Sequence, residues 1–435
     1  MSERAMAALG LPRATAGLAS SGDGLRYGAL GLPLAFVALP LYVLLPNHYA
    51  AQFGVPLAAL GAVLLGARLL DALADPLIGR WVDRLFARKA LSAWWAATIA
   101  ALVLAIGFRA LFFPAVAGTA ALLAWCAIGL AFTYLGYSVV SVVHQAWGAR
   151  LGGDEAGRAR VVAWREGAAV VGVLIASVLP SAAGLQATTL VFAVLLLAGL
   201  VLLRQAPRAV LRPPLAAGGA ASVRPFRVAA FRRLLAIFIV NGIASAVPAT
   251  LVLFFIRDRL QAPAWEPAFL AAYFAAGALS IPLWLRSVAR FGLARSWLAG
   301  MGLAIATFGW AATLGAGDTL GFLAVCIASG AALGADLTLP GALLTGVIQR
   351  AGHAGHGEGA YLGWWNFATK LNLALAAGVA LPLLQATGYE TGARDPQALA
   401  ALSFAYCLLP CALKLGAALL LWALWLRHPD AGDLA

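Results

Sequence analysis

Twelve apolar stretches organise this chain, near residues 28–47, 56–79, 91–113, 116–147, 161–182, 187–203, 234–256, 266–288, 295–315, 319–347, 359–386 and 398–426. A helix needs ~20 apolar residues to cross a hydrocarbon layer, and most of these stretches reach that length. Lipid offers no partner to a backbone N–H or C=O, so segments this long close their hydrogen bonds internally, as helices. Of the 435 residues, 63% are hydrophobic and 11% charged, against about 45–50% and about 25% in soluble domains. A soluble globular chain is excluded on that balance. The pattern predicts an all-α membrane protein with twelve transmembrane helices.

The longest polar connection, Arg204 to Arg233, contains Pro207, Pro213, Pro214 and a Gly-Gly pair, and it divides the spans six and six. The expected organisation is two six-helix bundles, 27–204 and 233–427, joined by a cytoplasmic linker at 205–232, with cytoplasmic tails at 1–26 and 428–435. Paired bundles of this kind rock about a midplane site in secondary transporters. The segment before Tyr27 is Gly/Ala/Ser-rich, carries Arg4, Arg13 and Arg26, and lacks the apolar core of a signal peptide.

With both termini cytoplasmic, the inside segments hold 22 of the 30 Lys and Arg, and the outside connections only Arg109, Arg257, Arg259 and Arg394. That bias follows the positive-inside rule. The net charge of +13 therefore reports orientation and not a nucleic-acid partner. The expected partners are a small-molecule substrate and membrane lipids around a functional monomer, in the plasma membrane (the inner membrane of a bacterium). Cys126, Cys326, Cys407 and Cys411 lie in apolar stretches without ligand spacing and read as packing residues.

Ionisable groups inside such stretches are costly, at least ~2.5–3.5 kcal/mol on insertion scales, and mark function by default. In the second stretch Asp71 and Asp75 are four apart, so both project from one helix face, with Arg68 a turn earlier. Two carboxylates that close repel when both are ionised, and a proton or a metal cation relieves the repulsion. The alternative is an Arg68–Asp71 pair that only fixes packing. Lys370, in the eleventh stretch, wants an acidic partner unless it snorkels to an interface. Lys414 has no acid nearby in its own span and reads equally as packing or function. Arg165 opens the fifth stretch, either as a topology charge or as part of a site. Tyr137, Ser138, Ser141, His144 and Gln145 put polar groups on the fourth, where hydroxyls can also bond their own helix. His353, His356 and Glu358 share a Gly-rich loop that reads as solvated, with metal binding as the alternative.

The run Arg68-Leu-Leu-Asp71-Ala-Leu-Ala-Asp75-Pro76-Leu-Ile-Gly79 resembles the second helix of the glycoside–pentoside–hexuronide:cation symporters, the melibiose-permease-like branch of the major facilitator superfamily. Gly79, Asp83, Arg84 and Arg88 look like the superfamily's conformational loop motif between helices two and three, although Phe86 stands where a Gly is usual. Tyr27-Gly28, Arg158 through Arg165, Pro282-Leu-Trp284, Arg290-Phe-Gly292, Glu358 through Tyr361 and Gly388-Tyr389 are similar to further family segments, in the same order.

The resemblance implies the major facilitator fold, with Asp71, Asp75, Ser138 and Ser141 at the cation site and Arg68 and Lys370 as charge partners. It implies a substrate site drawing on Tyr137, Arg165, Trp365, Asn366 and Lys370. Ala74 replaces the motif's Asn, Ser141 stands where the family's type member has a third carboxylate, and Ala35 approximates the position of a sugar-binding acid. A thinner oxygen cage favours a proton over sodium as the coupling ion. The expected function is symport of a small solute, a sugar or glycoside, by alternating access. No cofactor or metal beyond a coupling H+ or Na+ is expected. A carrier or flippase of an amphipathic molecule such as a lysolipid is the alternative. A membrane-embedded transferase is disfavoured, because His48, His144, His353, His356 and His428 are scattered without a nucleophile or metal arrangement.

Overall fold

A computed structural model describes residues 18, 20–209, 223–386, 389, 392 and 394–427. Arg4, Arg13, Arg212, Pro213, Pro214, Gly388 and His428 lie outside the described residues. Among the described residues all regular structure is helical.

The first span is not one helix. It runs as α1 (Ser21–Gly28), α2 (Gly31–Phe36), a π-turn over Pro40–Leu44 and α3 (Leu45–Phe53). Pro33, Pro40 and Pro46 each remove a backbone donor, and the ladder breaks or widens beside them. The chain continues as α4 (Leu57–Arg88), α5 (Ala90–Phe112), α6 (Thr119–Ala149) and α7 (Glu155–Gln205). The fifth and sixth spans lie within α7, which bends at Gly184, where φ is 80° and only a residue without Cβ sits easily.

After the linker come α8 (Ala229–Phe254), α9 (Glu266–Phe291), α10 (Leu293–Ala311), α11 (Thr319–Arg350) and α12 (Glu358–Ala386). The last span is α13 (Pro396–Ser403), a π-turn over Phe404–Leu408 and α14 (Leu409–Leu421). Pro410 follows that π-turn, which accommodates its missing N–H. Eight of the described segments are long and apolar enough, taken alone, to cross a membrane.

The helices form two compact units, Met1–Arg224 with Ala351–Phe367, and Pro225–Arg350 with Ala368–Ala435. The first unit thus takes the loop before α12 and the opening turns of α12, a sharing that two sequential sets of six do not contain. In unit 1, α1 and α2 lie along the first half of α7, and α6 packs on α4 and α5. A Cβ at Gly28 or Gly31 would collide with the backbone carbonyls of Trp164 or Arg165, so this close approach requires glycine. Phe36, Phe108 and Phe192 fill the interior, with Phe108 and Phe192 centroids 4.8 Å apart.

In unit 2, α11 packs between α9 and α10, while α14 lies on α8 and α10. Phe255, Phe269, Phe322 and Tyr406 form its aromatic centre, with Phe255 stacked on Tyr406 at 4.3 Å.

Candidate functional site

The sequence of α4 sorts into two faces. Leu69, Leu70, Leu73 and Leu77 are exposed, whereas Asp71, Asp75, Ile78, Val82 and Asp83 are buried. The exposed row is apolar enough for acyl chains, and the acids lie on the buried side of the helix. Asp71 accepts a hydrogen bond from the Ser138 hydroxyl of α6 at 2.7 Å, with both groups buried. Asp75 is wholly buried one turn on. Arg68 is exposed. Ser141 is buried, but the bond it takes is from Gln145 Nε2 of its own helix, at 2.9 Å.

Deeper along α6, the His144 Nε2 lies 2.8 Å from the Tyr27 carbonyl, and the Tyr27 hydroxyl donates to the His144 carbonyl at 3.3 Å. This reciprocal pair ties α1 to α6, so His144 serves packing. The Arg165 guanidinium donates to Glu166 at 2.6 and 2.9 Å. Tyr137 is half-buried, Trp365 is buried and Asn366 is half-buried.

A second cluster gathers at the far end of α4. Asp83 accepts from Arg150 Nη2 at 2.8 Å and from the backbone N–H groups of Gly359 and Ala360 at 2.7 Å each. Arg150, at the end of α6, also pairs with Glu358 at 2.9 Å. Glu358 in turn accepts from Gly355 N at 2.5 Å and Gly357 N at 3.2 Å. The first N–H groups of a helix have no intrahelical partner and carry positive potential, so Asp83 caps α12 from outside. The close approach behind this cap needs small residues, since a Cβ on Gly79 would strike the Gly359 carbonyl.

Phe86 has a role here. It is fully buried, and the Arg150 guanidinium sits 4.0 Å over its ring, a cation–π contact. Arg84 and Arg88 remain exposed.

The Gly-rich loop departs from the solvated reading. His356 and Glu358 are buried, and His353 Nδ1 lies 2.7 Å from the Tyr361 hydroxyl. Burial, and then the neighbouring His356, push the His353 pKa below the ordinary histidine value, against the pull of Glu358. Among the described residues no group of three or more metal-ligating side chains converges.

Residues 25–427 match the family model described as MFS/sugar transport protein. The chain belongs to that family. It is a multi-pass membrane transporter of the major facilitator superfamily, not an enzyme, and its substrate is a small molecule. The family includes the glycoside–pentoside–hexuronide transporters that the second-span motif resembles. No curated protein sequence matches the chain.

Solved structures similar to this transporter share its fold. A bacterial homologue of the iron transporter ferroportin, outward-facing, aligns with a TM-score of 0.69 at 18% identity, over 92% of this chain and 99% of that one. The E. coli fucose:proton symporter FucP aligns with a TM-score of 0.64 at 14% identity, over 91% and 97%. The human organic anion transporter MFSD10 (TETRAN) gives 0.59 at 18%, over 91% and 100%.

Within this transporter, the sequence analysis did not single out Asp336 or Asp258, both of which gather polar partners. Asp336 of α11 accepts from Asn241 Nδ2 at 3.1 Å, Trp297 Nε1 at 2.9 Å, Ser245 Oγ at 3.1 Å and Lys414 Nζ at 2.5 Å. The Lys414 partner sought in its own span lies on α11. An ionisable residue inside an apolar stretch was the available signal. In the resemblance segment near 388, the Tyr389 hydroxyl donates to Asp258, which also takes the Gly392 N–H at 3.0 Å.

Proposed function

We propose that this family member is a cation-coupled symporter of a small polyhydroxylated solute, a sugar or glycoside, working by alternating access. The observation that carries the proposal is the pair of buried acids on one face of α4, with Ser138 donating to Asp71. Two carboxylates one turn apart on a helix repel when both are ionised, and a cation bound from one side of the membrane relieves that repulsion. A proton satisfies one acid alone, whereas a sodium ion needs several oxygens. Ala74 and Ser141 stand where the family's type member offers an amide and a carboxylate, so the proton is the favoured ion.

In this reading Lys370 and Arg68 are the cationic groups that exchange with the coupling cation, and Tyr137, Arg165, Trp365, Asn366 and Lys370 contribute to solute binding. The Asp83–Arg150–Glu358 cluster acts as a latch on the start of α12, made in one access state and broken in the other. Cation and solute each raise the other's affinity by the same factor, as linkage requires.

The test uses proteoliposomes loaded against imposed proton or sodium gradients and offered radiolabelled sugars, sugar acids and lysolipids. Uphill uptake of a sugar driven by the proton gradient is expected. Asp71→Asn and Asp75→Asn are expected to lose uphill uptake while retaining counterflow exchange. Normal accumulation in either variant overturns the coupling role, and movement of lysolipids alone overturns the solute class.

A further inference from the structure

Unit 2 contains a partly open cavity of ≈ 140 Å³ among α8, α9, α10, α11 and α14. Its walls are mainly apolar and aromatic, including Val252, Phe269, Phe274 and Phe308, and Ser245, Asp336 and Lys414 put a hydrogen-bonded polar group on them. Asp336 and Lys414 are the charged side chains lining it among the described residues; Tyr273, Tyr406, Cys326 and Cys411 are the other titratable ones. Asp336 and four polar partners, from four helices in all, form one hydrogen-bonded group there. A buried ion pair in an apolar bundle is weak evidence for stability, since well-packed hydrophobic residues are often as good or better. Its position on the wall of a cavity calls for a ligand.

The hydrogen-bonding pattern says which kind. The Asp336 carboxylate already accepts four donors, two on each oxygen, and offers little to an incoming cation or donor. Lys414 spends two of its three N–H groups, on Asp336 and Ser245 at 2.8 Å. What the site has left to give is hydrogen-bond donation, from that ammonium and from the hydroxyl-bearing Tyr273 and Tyr406. A dry apolar cavity of about 150 Å³ holds a benzene-sized molecule, so the body of the ligand is one ring.

We propose that unit 2 binds a small single-ring carboxylic acid, its carboxylate on Lys414 and its ring in the aromatic cavity. A carboxylate there stands beside the Asp336 charge, and two adjacent carboxylates in a desolvated site do not both stay ionised. Binding therefore brings in one proton from solvent, carried by the ligand's carboxyl group, so that the site stays neutral with and without its ligand. This site is separate from the α4 acids, and its failure leaves the coupling proposal standing.

The experiment is calorimetric titration of the full-length protein in lipid nanodiscs with phenylacetate, 2-phenylethanol and phenethylamine. Each titration is run at pH 6 and pH 8, in two buffers of different ionisation enthalpy. Phenylacetate is expected to bind at least ~10-fold more tightly than the alcohol or the amine, a difference of about 1.4 kcal/mol. Its binding is expected to be tighter at pH 6, with about one proton taken up per ligand. The double variant Lys414→Met/Asp336→Asn removes both charges together, which avoids a lone buried ion, and is expected to abolish the preference for the acid. Equal binding of acid and alcohol, no binding of any of the three, no proton uptake, or an unchanged preference in the double variant each overturns the proposal. The wild-type arms stand even where the variant does not fold.

Discussion

The two buried acidic centres of this transporter are built in opposite ways. In unit 1, Asp71 and Asp75 come from consecutive turns of one helix, and Asp71 accepts a hydroxyl from α6. In unit 2, the lone Asp336 collects an amide, an indole, a hydroxyl and an ammonium from three other helices. The first centre sets two like charges on one helix face, and in the proposed function that pair carries the coupling cation. The second is neutral as assembled, so its ionic state is tied to the packing of the helices around it.

The largest expected effect that separates the two is on transport. Asp75→Asn should abolish proton-driven accumulation above the external sugar concentration, with thermal unfolding in detergent shifted by only a few degrees. A loss of folding there would erase the contrast.

Next in size is the reverse pattern at Lys414. Removing one partner of a buried ion pair costs about 3–5 kcal/mol, so Lys414→Met should markedly lower expression and the unfolding midpoint. Adding Asp336→Asn should recover most of the loss. Equal stability of Lys414→Met and the wild type would show that the unit 2 centre is not a structural pair.

A middle-sized effect belongs to the latch. Asp83→Asn keeps the shape but replaces a charged acceptor of three donors, and hydrogen bonds to charged groups contribute roughly 1.5–3 kcal/mol each. Faster cysteine labelling of residues engineered in the 353–358 loop would report its release. Gly359→Ala is expected to mimic that release, because the added methyl meets the Gly79 carbonyl and overpacking costs about 1–3 kcal/mol. Unchanged labelling in both variants would remove the latch from the mechanism.

The smallest effect is a pH dependence. The folded state holds His353 below the ordinary histidine value, chiefly by burial. The unfolded chain therefore binds the proton first, and stability falls as pH drops through and below the usual histidine range. His353→Gln should flatten the unfolding midpoint between pH 7 and pH 5 compared with the wild type. An unaltered slope would assign that dependence elsewhere.

The same contrast explains how much could be read from the sequence. The spans were legible because length and hydropathy are local properties, and the pair Asp71/Asp75 because a spacing of four fixes a shared helix face. The break of the first span was written in Pro33, Pro40 and Pro46, yet mean hydropathy does not register a missing donor. Asp336 shares no helix with its partners, and its nearest in sequence, Trp297, is 39 residues away, so no periodicity joins them. By sequence Arg150 is one basic residue among several beside the ends of the apolar stretches. Only the tertiary fold shows that it lies between Asp83 and Glu358 with Phe86 beneath it. Gly359 and Ala360 could not be found from side-chain chemistry at all, because they act through their backbone N–H groups.

The central claim is that the α4 acids carry the coupling cation. It is tested most directly by recording proton movement with a pH dye trapped inside proteoliposomes when a transported sugar is added outside. The wild-type protein is expected to acidify the lumen in step with sugar entry, and Asp75→Asn to admit sugar down its gradient with no acidification. Sugar-driven acidification that persists in Asp75→Asn, or sugar entry in the wild type with no proton movement at any pH, would contradict the account.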